Sequence, residues 1–242
     1  MRKISHHKIL FLAVFLFILG ACSLKMHDES GPAEVYQELL SRLGTGSSIA
    51  LYAASAVHTP EGLWNVYVLS APPDRLVFRQ SRQGAEIEFG MAPGELWRED
   101  VLTGNVRHLE GDWRYFIRSY EIFRLGSQLA KWRVHENQAE CRKINAEHKI
   151  NADLCLLDEF DERVSIQVGA DGLPTRISRE LPEKLGGGVS AISPAGWTTE
   201  NGELLMTGFQ QTHGPALFDW DIQSVRRIPE NQVSIKPPSE PR

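Results

Sequence analysis

The feature that most constrains this chain is a change of period at Ser47. Beyond it, short β-rich segments follow one another with only a few turn residues between them. The segments are 48–57, 62–71, 75–82, 85–90, 94–100 and 105–109, joined by connectors such as His58-Thr-Pro-Glu-Gly62, Gln83-Gly84 and Leu102-Thr-Gly-Asn105. A parallel crossover needs a dozen or more residues, so connectors this short demand antiparallel neighbours and hence a meander. A second series is expected at 153–158, 163–168, 174–181, 203–211 and 216–225. The stretch Arg227 to Pro238 reads as one last edge strand, and Gly186 to Gly196 as a long flexible loop.

Two helical stretches interrupt the pattern. Pro32 to Gly44 carries Val35, Tyr36, Leu39, Leu40 and Leu43 at helical spacing, with Ser30 placed to cap, Pro32 in the first turn and Gly44 as the stop. Trp113 to Trp132 repeats Phe116, Ile117, Tyr120, Phe123, Leu125 and Leu129 at mostly three- and four-residue spacings, which predicts one or two helices with a break near Gly126. The fold class expected is mainly β with helices (α+β): a curved antiparallel sheet, or incomplete β-barrel, closed by helices. Residues 32–242 form its single domain.

The N-terminus sets the compartment. Arg2, Lys3 and Lys8 precede an apolar run from Ile9 to Leu19 of about eleven residues, short of the roughly 20 that span a bilayer, and small residues follow. The layout is that of a secretory leader, 1–21. Its end, Leu19-Gly20-Ala21-Cys22, resembles the lipobox of bacterial lipoproteins. That resemblance implies cleavage before Cys22, diacylglycerol on its thiol and acylation of the new amino group. Two or three acyl chains give firm attachment, each buried methylene contributing about 0.8 kcal/mol. A non-lipidated leader with a chance Cys is the alternative. With Ser23 following the cysteine and 22–31 as tether, the expected location is the outer membrane, facing the periplasm.

Loss of the leader removes three basic residues and no acidic one, taking the net charge from −5 to about −8. So acidic a chain is a poor match for a phosphate backbone, and no basic stripe relieves it; nucleic acid is not an expected partner. With Cys22 lipidated, Cys141 and Cys155 remain as an even pair in an oxidising compartment, which predicts a disulfide worth about 3 kcal/mol. They flank an internal echo, Lys143-Ile-Asn-Ala-Glu147 and Lys149-Ile-Asn-Ala-Asp153. A Cys141/His148/Cys155 metal site is the weaker reading.

Enzyme motifs are not evident. There is no His-Glu-x-x-His, Gly188-Val-Ser190-Ala-Ile192 lacks the second Gly of a nucleophile elbow, and Gly186 to Gly188 is not followed by Gly-Lys-Ser/Thr. No catalytic set, metal or cofactor is expected. Aromatic residues on strands and helix are the better candidates for function: Trp64, Tyr67, Phe78, Phe89, Trp97, Phe116, Tyr120 and Phe123 are candidate cavity residues, because aromatic side chains give large apolar area at fixed shape. They equally fill cores. Parity separates Trp64, Val66 and Val68 from Leu63, Tyr67 and Leu69, without saying which face is concave.

The sequence also resembles a family. Ala71-Pro-Pro-Asp-Arg-Leu-Val-Phe78, Gly84 to Gly90, Leu96-Trp97, Asp100, Leu109-Glu-Gly111, Asp171-Gly-Leu-Pro-Thr-Arg-Ile177 and the closing Ile228 to Pro238 are similar to the outer-membrane lipoprotein-sorting superfamily of carrier and receptor proteins. The resemblance implies a half-barrel closed by helices, with a cavity for acyl chains. It differs from the soluble carrier in having a lipobox, and from the lipid-anchored receptor in offering no clear exposed Leu loop; Met91, expected in a turn, is the nearest apolar loop residue. The expected role is a lipid-anchored monomer that holds or transfers an acyl-bearing ligand, lipoprotein or lipid, without catalysis. The alternative is an envelope interaction or regulatory protein with a filled core and no small ligand.

Overall fold

A computed structural model describes residues 31–44, 49–71, 74–141, 154–181, 183, 187–236 and 238. The leader, Cys22 and its lipidation, most of the tether, the echo around His148, and Gly186 lie outside the described residues. Helix α1 (Pro32–Leu43) starts at Gly31, which makes no side-chain cap, rather than at Ser30. It buries Tyr36, Leu39 and Leu43 and stops at Gly44, whose φ of +76° suits glycine. Six strands follow: β1 (Ala50–Thr59), β2 (Gly62–Ala71), β3 (Arg75–Arg82), β4 (Ala85–Ala92), β5 (Glu95–Asp100) and β6 (Asn105–His108). Then come α2 (Asp112–Ser119), a 3-10 turn (Ile122–Arg124) and α3 (Leu125–Leu129). Seven strands complete the fold: β7 (Arg133–Val134), β8 (Leu154–Leu157), β9 (Arg163–Val168), β10 (Pro174–Glu180), β11 (Val189–Glu200), β12 (Glu203–His213) and β13 (Ala216–Ile228).

The thirteen strands among the described residues form one antiparallel sheet in the order β6-β5-β4-β3-β2-β1-β13-β12-β11-β10-β9-β8-β7. Every neighbour is a sequence neighbour except the pair β1–β13, which joins the two ends of the meander. The sheet's two edges, β6 and β7, are consecutive along the chain, and the helical segment lies between them in sequence. The sheet is therefore curved and unclosed, with helices where a barrel would shut.

Two expectations fail here. Gly186 to Gly196 is not a loop beyond its first residues, because β11 pairs with β10 from Val189 to Ile192 and with β12 along its length. Pro194 and Gly196 gave the loop-like signature; both fall where the register shifts, and a bulge is the place in a sheet that tolerates residues unable to serve the ladder. Nor does Arg227 to Pro238 add an edge strand. Strand β13 already has β1 and β12 on its two sides, so no free edge remains. The chain instead makes a 3-10 turn at Glu230–Gln232 and lays Val233 and Ile235 on the outer face of the sheet. There they meet Trp97, whose indole crosses Gly90 so closely that a Cβ on Gly90 would sit 1.9 Å from Cζ2.

The parity question is settled by burial. Val66 and Val68 face the core with Leu76, Phe78, Phe89 and Met91, whereas Leu63 and Tyr67 are exposed. Met91 is thus a fully buried strand residue and no loop residue. The helices press Leu39, Leu43, Ile117, Leu125 and Leu129 onto this inner face. Between α1 and α3 the backbones nearly touch: a Cβ on Gly126 would stand 2.2 Å from the Gly44 carbonyl oxygen. The Tyr36 hydroxyl lies 2.7 Å from the carbonyl oxygens of both Leu129 and Trp132, sharing its one proton between them.

A buried polar chain pins the helical segment to the sheet. Arg124 donates to Glu203 at 3.0 and 3.3 Å and to the Ser70 hydroxyl at 2.9 Å; Ser70 in turn donates to Glu121. Glu121 also pairs with Arg118 at 2.8 Å, and Arg118 reaches Asp74 at 2.6 Å and Glu159 at 2.9 Å. Charges this deep survive only when paired, so the chain fixes where α2 sits. Cys141 and Cys155 form the expected disulfide, buried beside Val189.

Candidate functional site

The eight candidate aromatics do not line one cavity. Four meet in an interlocked stack inside the sheet: Phe78 lies face to face with Tyr120 at 3.6 Å between centroids and with Phe89 at 4.9 Å, and the edge of Phe116 closes on both. Trp113 extends the stack over Phe89 at 5.7 Å. Phe123 is buried in the same core. Trp64 packs at its margin, under the Arg82 guanidinium at 5.8 Å. Tyr67 and Trp97 point to the outer face; Tyr67 stacks on Tyr52 over a shallow depression of about 310 Å³, and Trp97 sits under the C-terminal tail. The interior is thus filled largely by the protein's own rings.

Beside that stack a cleft of about 100 Å³ opens between the end of α2 and strands β10–β13. Its floor is Phe116, Tyr120, Ile122, Phe209 and Trp220, with Phe209 stacked on Trp220 at 5.1 Å. Its rim is polar: Arg179, Ser190 and His213, with Gln211 one step inward. Strand register explains the arrangement. Arg179 pairs with Ser190 and Ser190 with His213, so the three stand in one row across β10, β11 and β12. Two rows further in, Phe209 faces Trp220. Side chains two apart on a strand share a face, so Phe209, Gln211 and His213 run from floor to rim along β12.

The rim residues hold one another and the backbone. Gln211 donates its amide to the Ser190 hydroxyl at 3.4 Å, and His213 Nε2 donates to the Gly187 carbonyl oxygen at 3.2 Å. The Arg179 guanidinium lies over the Tyr115 ring, 5.1 Å from its centroid. Burial raises the Tyr115 pKa, with Arg179 opposing; burial likewise drives the Tyr120 pKa well up, opposed by the amide of Gln80, which donates to its hydroxyl. Asp158 is also raised by burial, although backbone N–H groups of Phe160 and Glu162 bind its carboxylate. At neutral pH the two tyrosines are therefore un-ionised apolar walls with a polar tip. Among the described residues, no group of three or more His, Cys, Asp and Glu side chains is placed to hold a metal, and no helix is long and apolar enough to cross a membrane.

Arg179, Ser190, Phe209, Gln211, His213 and Trp220 were not among the sequence candidates. The alternation Phe209-x-Gln211-x-His213 was visible, but nothing local says that it opposes the last turn of α2 across the sheet.

No protein-family profile and no curated protein sequence matches the chain. Solved structures do. A DUF1329 family protein from Desulfovibrio piger superposes with a TM-score of 0.52 at 12% identity, over 85% of this chain and 96% of that one, and shows the shared fold. A LolA superfamily protein from Nitrosomonas europaea (TM-score 0.48, 11% identity, 84% and 96% covered) and an outer membrane lipoprotein-sorting protein domain from Vibrio parahaemolyticus (0.47, 10%, 83% and 94%) are also similar. The architecture is the curved, unclosed antiparallel sheet with helices that the sequence led one to expect.

Proposed function

We propose that this protein is an envelope lipoprotein, anchored through Cys22 at the outer membrane and facing the periplasm, which binds an acyl-bearing ligand, lipid or lipoprotein, in the cleft between α2 and β10–β13 and acts without catalysis. The observation that carries the reading is the combination of an apolar aromatic floor with a polar row at one end, which is the chemistry of an amphiphile's two parts. At about 100 Å³ the cleft is smaller than the roughly 300–1,000 Å³ of pockets that enclose a ligand of drug size. A long chain therefore enters by turning the Phe116 and Tyr120 rings away from Phe78 and Phe89, while Arg118 keeps α2 in place. The filled interior favours the second reading, an interaction protein that takes no small ligand.

Native mass spectrometry of the full chain, released from membranes and activated to shed detergent, separates them. A bound acyl species beyond the mass of the anchored protein supports the first reading. A clean mass, together with no uptake of added fatty alcohol, leaves the interaction protein.

A further inference from the structure

The polar row has a property that the acyl reading does not need. Arg179 is 6% exposed and lines the cleft, yet it makes no salt bridge among the described residues. The other deeply buried arginines do: Arg118 and Arg124 each bind carboxylates at 3.0 Å or less. A buried guanidinium costs several kcal/mol of desolvation unless an anion compensates it. Asp158 is near enough to feel Arg179, but no salt bridge joins the two, and its Oδ1 accepts from the Phe160 and Glu162 N–H groups. Tyr115 offers it a cation–π face and a neutral hydroxyl, both weaker partners than a carboxylate.

Its neighbours in the row also present donors. Ser190 accepts from Gln211, which leaves its own hydroxyl proton free to be given. His213 has Nε2 occupied by the Gly187 carbonyl, so the ring is held in place beside Ser190. A guanidinium and a hydroxyl in one cross-strand row, at the rim of an aromatic floor, call for a ligand rich in acceptors at one end and apolar at the other.

We propose that the Arg179–Ser190–His213 row binds the oxyanion head of an amphiphile, a carboxylate or a phosphate, whose chain lies on Phe209 and Trp220. This rests on the reading of the cleft as an acyl-binding site. Arg179 supplies the charge-assisted bonds, Ser190 a further donor, and His213 holds the end of the row against Gly187.

The test uses Trp220 as reporter in the full chain held in lipid nanodiscs. Heavy-atom quenching by 12-bromododecanoate, 12-bromododecyl phosphate and 12-bromododecanol is measured, and the Trp220 component is obtained by difference from Trp220→Phe. The expected result is that at least one anion binds about tenfold or more tightly than the alcohol, and the better of the two names the head group. Arg179→Met removes that advantage by weakening anion binding about tenfold more than alcohol binding, and Arg179→Lys restores part of it. Ser190→Ala, a smaller change should Arg179→Met fail to fold, reduces the preference severalfold. Equal binding of all three probes to the native chain overturns the head-group assignment and leaves the cleft reading standing, as does a preference that survives both Arg179→Met and Ser190→Ala. No Trp220 quenching by any probe overturns both.

Discussion

Glu203→Leu leaves the Arg124 guanidinium without its carboxylate in a place that water does not reach. Arg124 is 0% exposed and Glu203 1%, and the two are joined by two hydrogen bonds at 3.0 and 3.3 Å, with Ser127 donating to the same carboxylate at 2.6 Å. Removing one partner of such a pair costs about 3–5 kcal/mol, because the remaining charge stays buried without its carboxylate. Against a typical total of about 5–15 kcal/mol this is a large share, and at roughly 2–4 °C per kcal/mol for a chain of this size the midpoint falls by about 6–20 °C. The double variant Arg124→Met with Glu203→Leu behaves differently, since two apolar side chains of similar volume avoid the desolvation altogether; it is expected to recover most of the loss. Urea unfolding of the native chain, both single variants and the double variant closes the cycle. A single-variant loss below about 1 kcal/mol, or a double variant as unstable as the two single losses added, would falsify the claim that this pair is a desolvated, coupled unit.

Three further outcomes follow from other parts of the molecule. Gly90→Ala forces a Cβ into the Trp97 ring and costs about 1–3 kcal/mol of overpacking, read as a lower denaturation midpoint; Trp97→Leu in the same chain relieves it, and an unperturbed Gly90→Ala midpoint contradicts the close approach. The buried Tyr120 hydroxyl keeps its proton above the pH at which an unfolded tyrosine loses it, near pH 10. The native state then holds more protons than the unfolded one, so stability is intact below about pH 10 and falls above it by up to about 1.4 kcal/mol per pH unit; Tyr120→Phe flattens that limb, and an unchanged slope would refute the burial argument. Cys22→Ala moves the protein from the membrane fraction to the soluble fraction on cell fractionation, and continued membrane association counts against the lipid anchor.

Much of the fold was legible because alternation and turn chemistry are local. Strands 62–71, 75–82 and 163–168 fall where period two and the Gly, Pro and Asp turns placed them, and the helix over 32–43 follows its apolar stripe. The parts that were misread are those in which tertiary context overrides local pattern. Strand β11 carries Pro194 and Gly196 inside a sheet because bulges accommodate them, and the tail that ends in an apolar alternation covers Trp97 instead of pairing, because β13 has no free side. Of the candidate site, the sequence placed Phe116 and Tyr120 in the helix that walls the cleft. It could not place Arg179 beside Ser190 and His213, since that neighbourhood is made by the register of three strands separated by up to 34 residues.

Occupancy of the cleft between α2 and β10–β13 by an acyl chain decides the proposed function. The direct measurement is photo-crosslinking of the full chain with a palmitate analogue carrying a diazirine on its chain, followed by peptide mapping. Labels concentrated on the segments that hold Phe116, Tyr120, Phe209 and Trp220, and competed by unlabelled palmitate, are the predicted result. Labels confined to the outer face around Tyr52 and Tyr67, or no competable labelling at all, would contradict it.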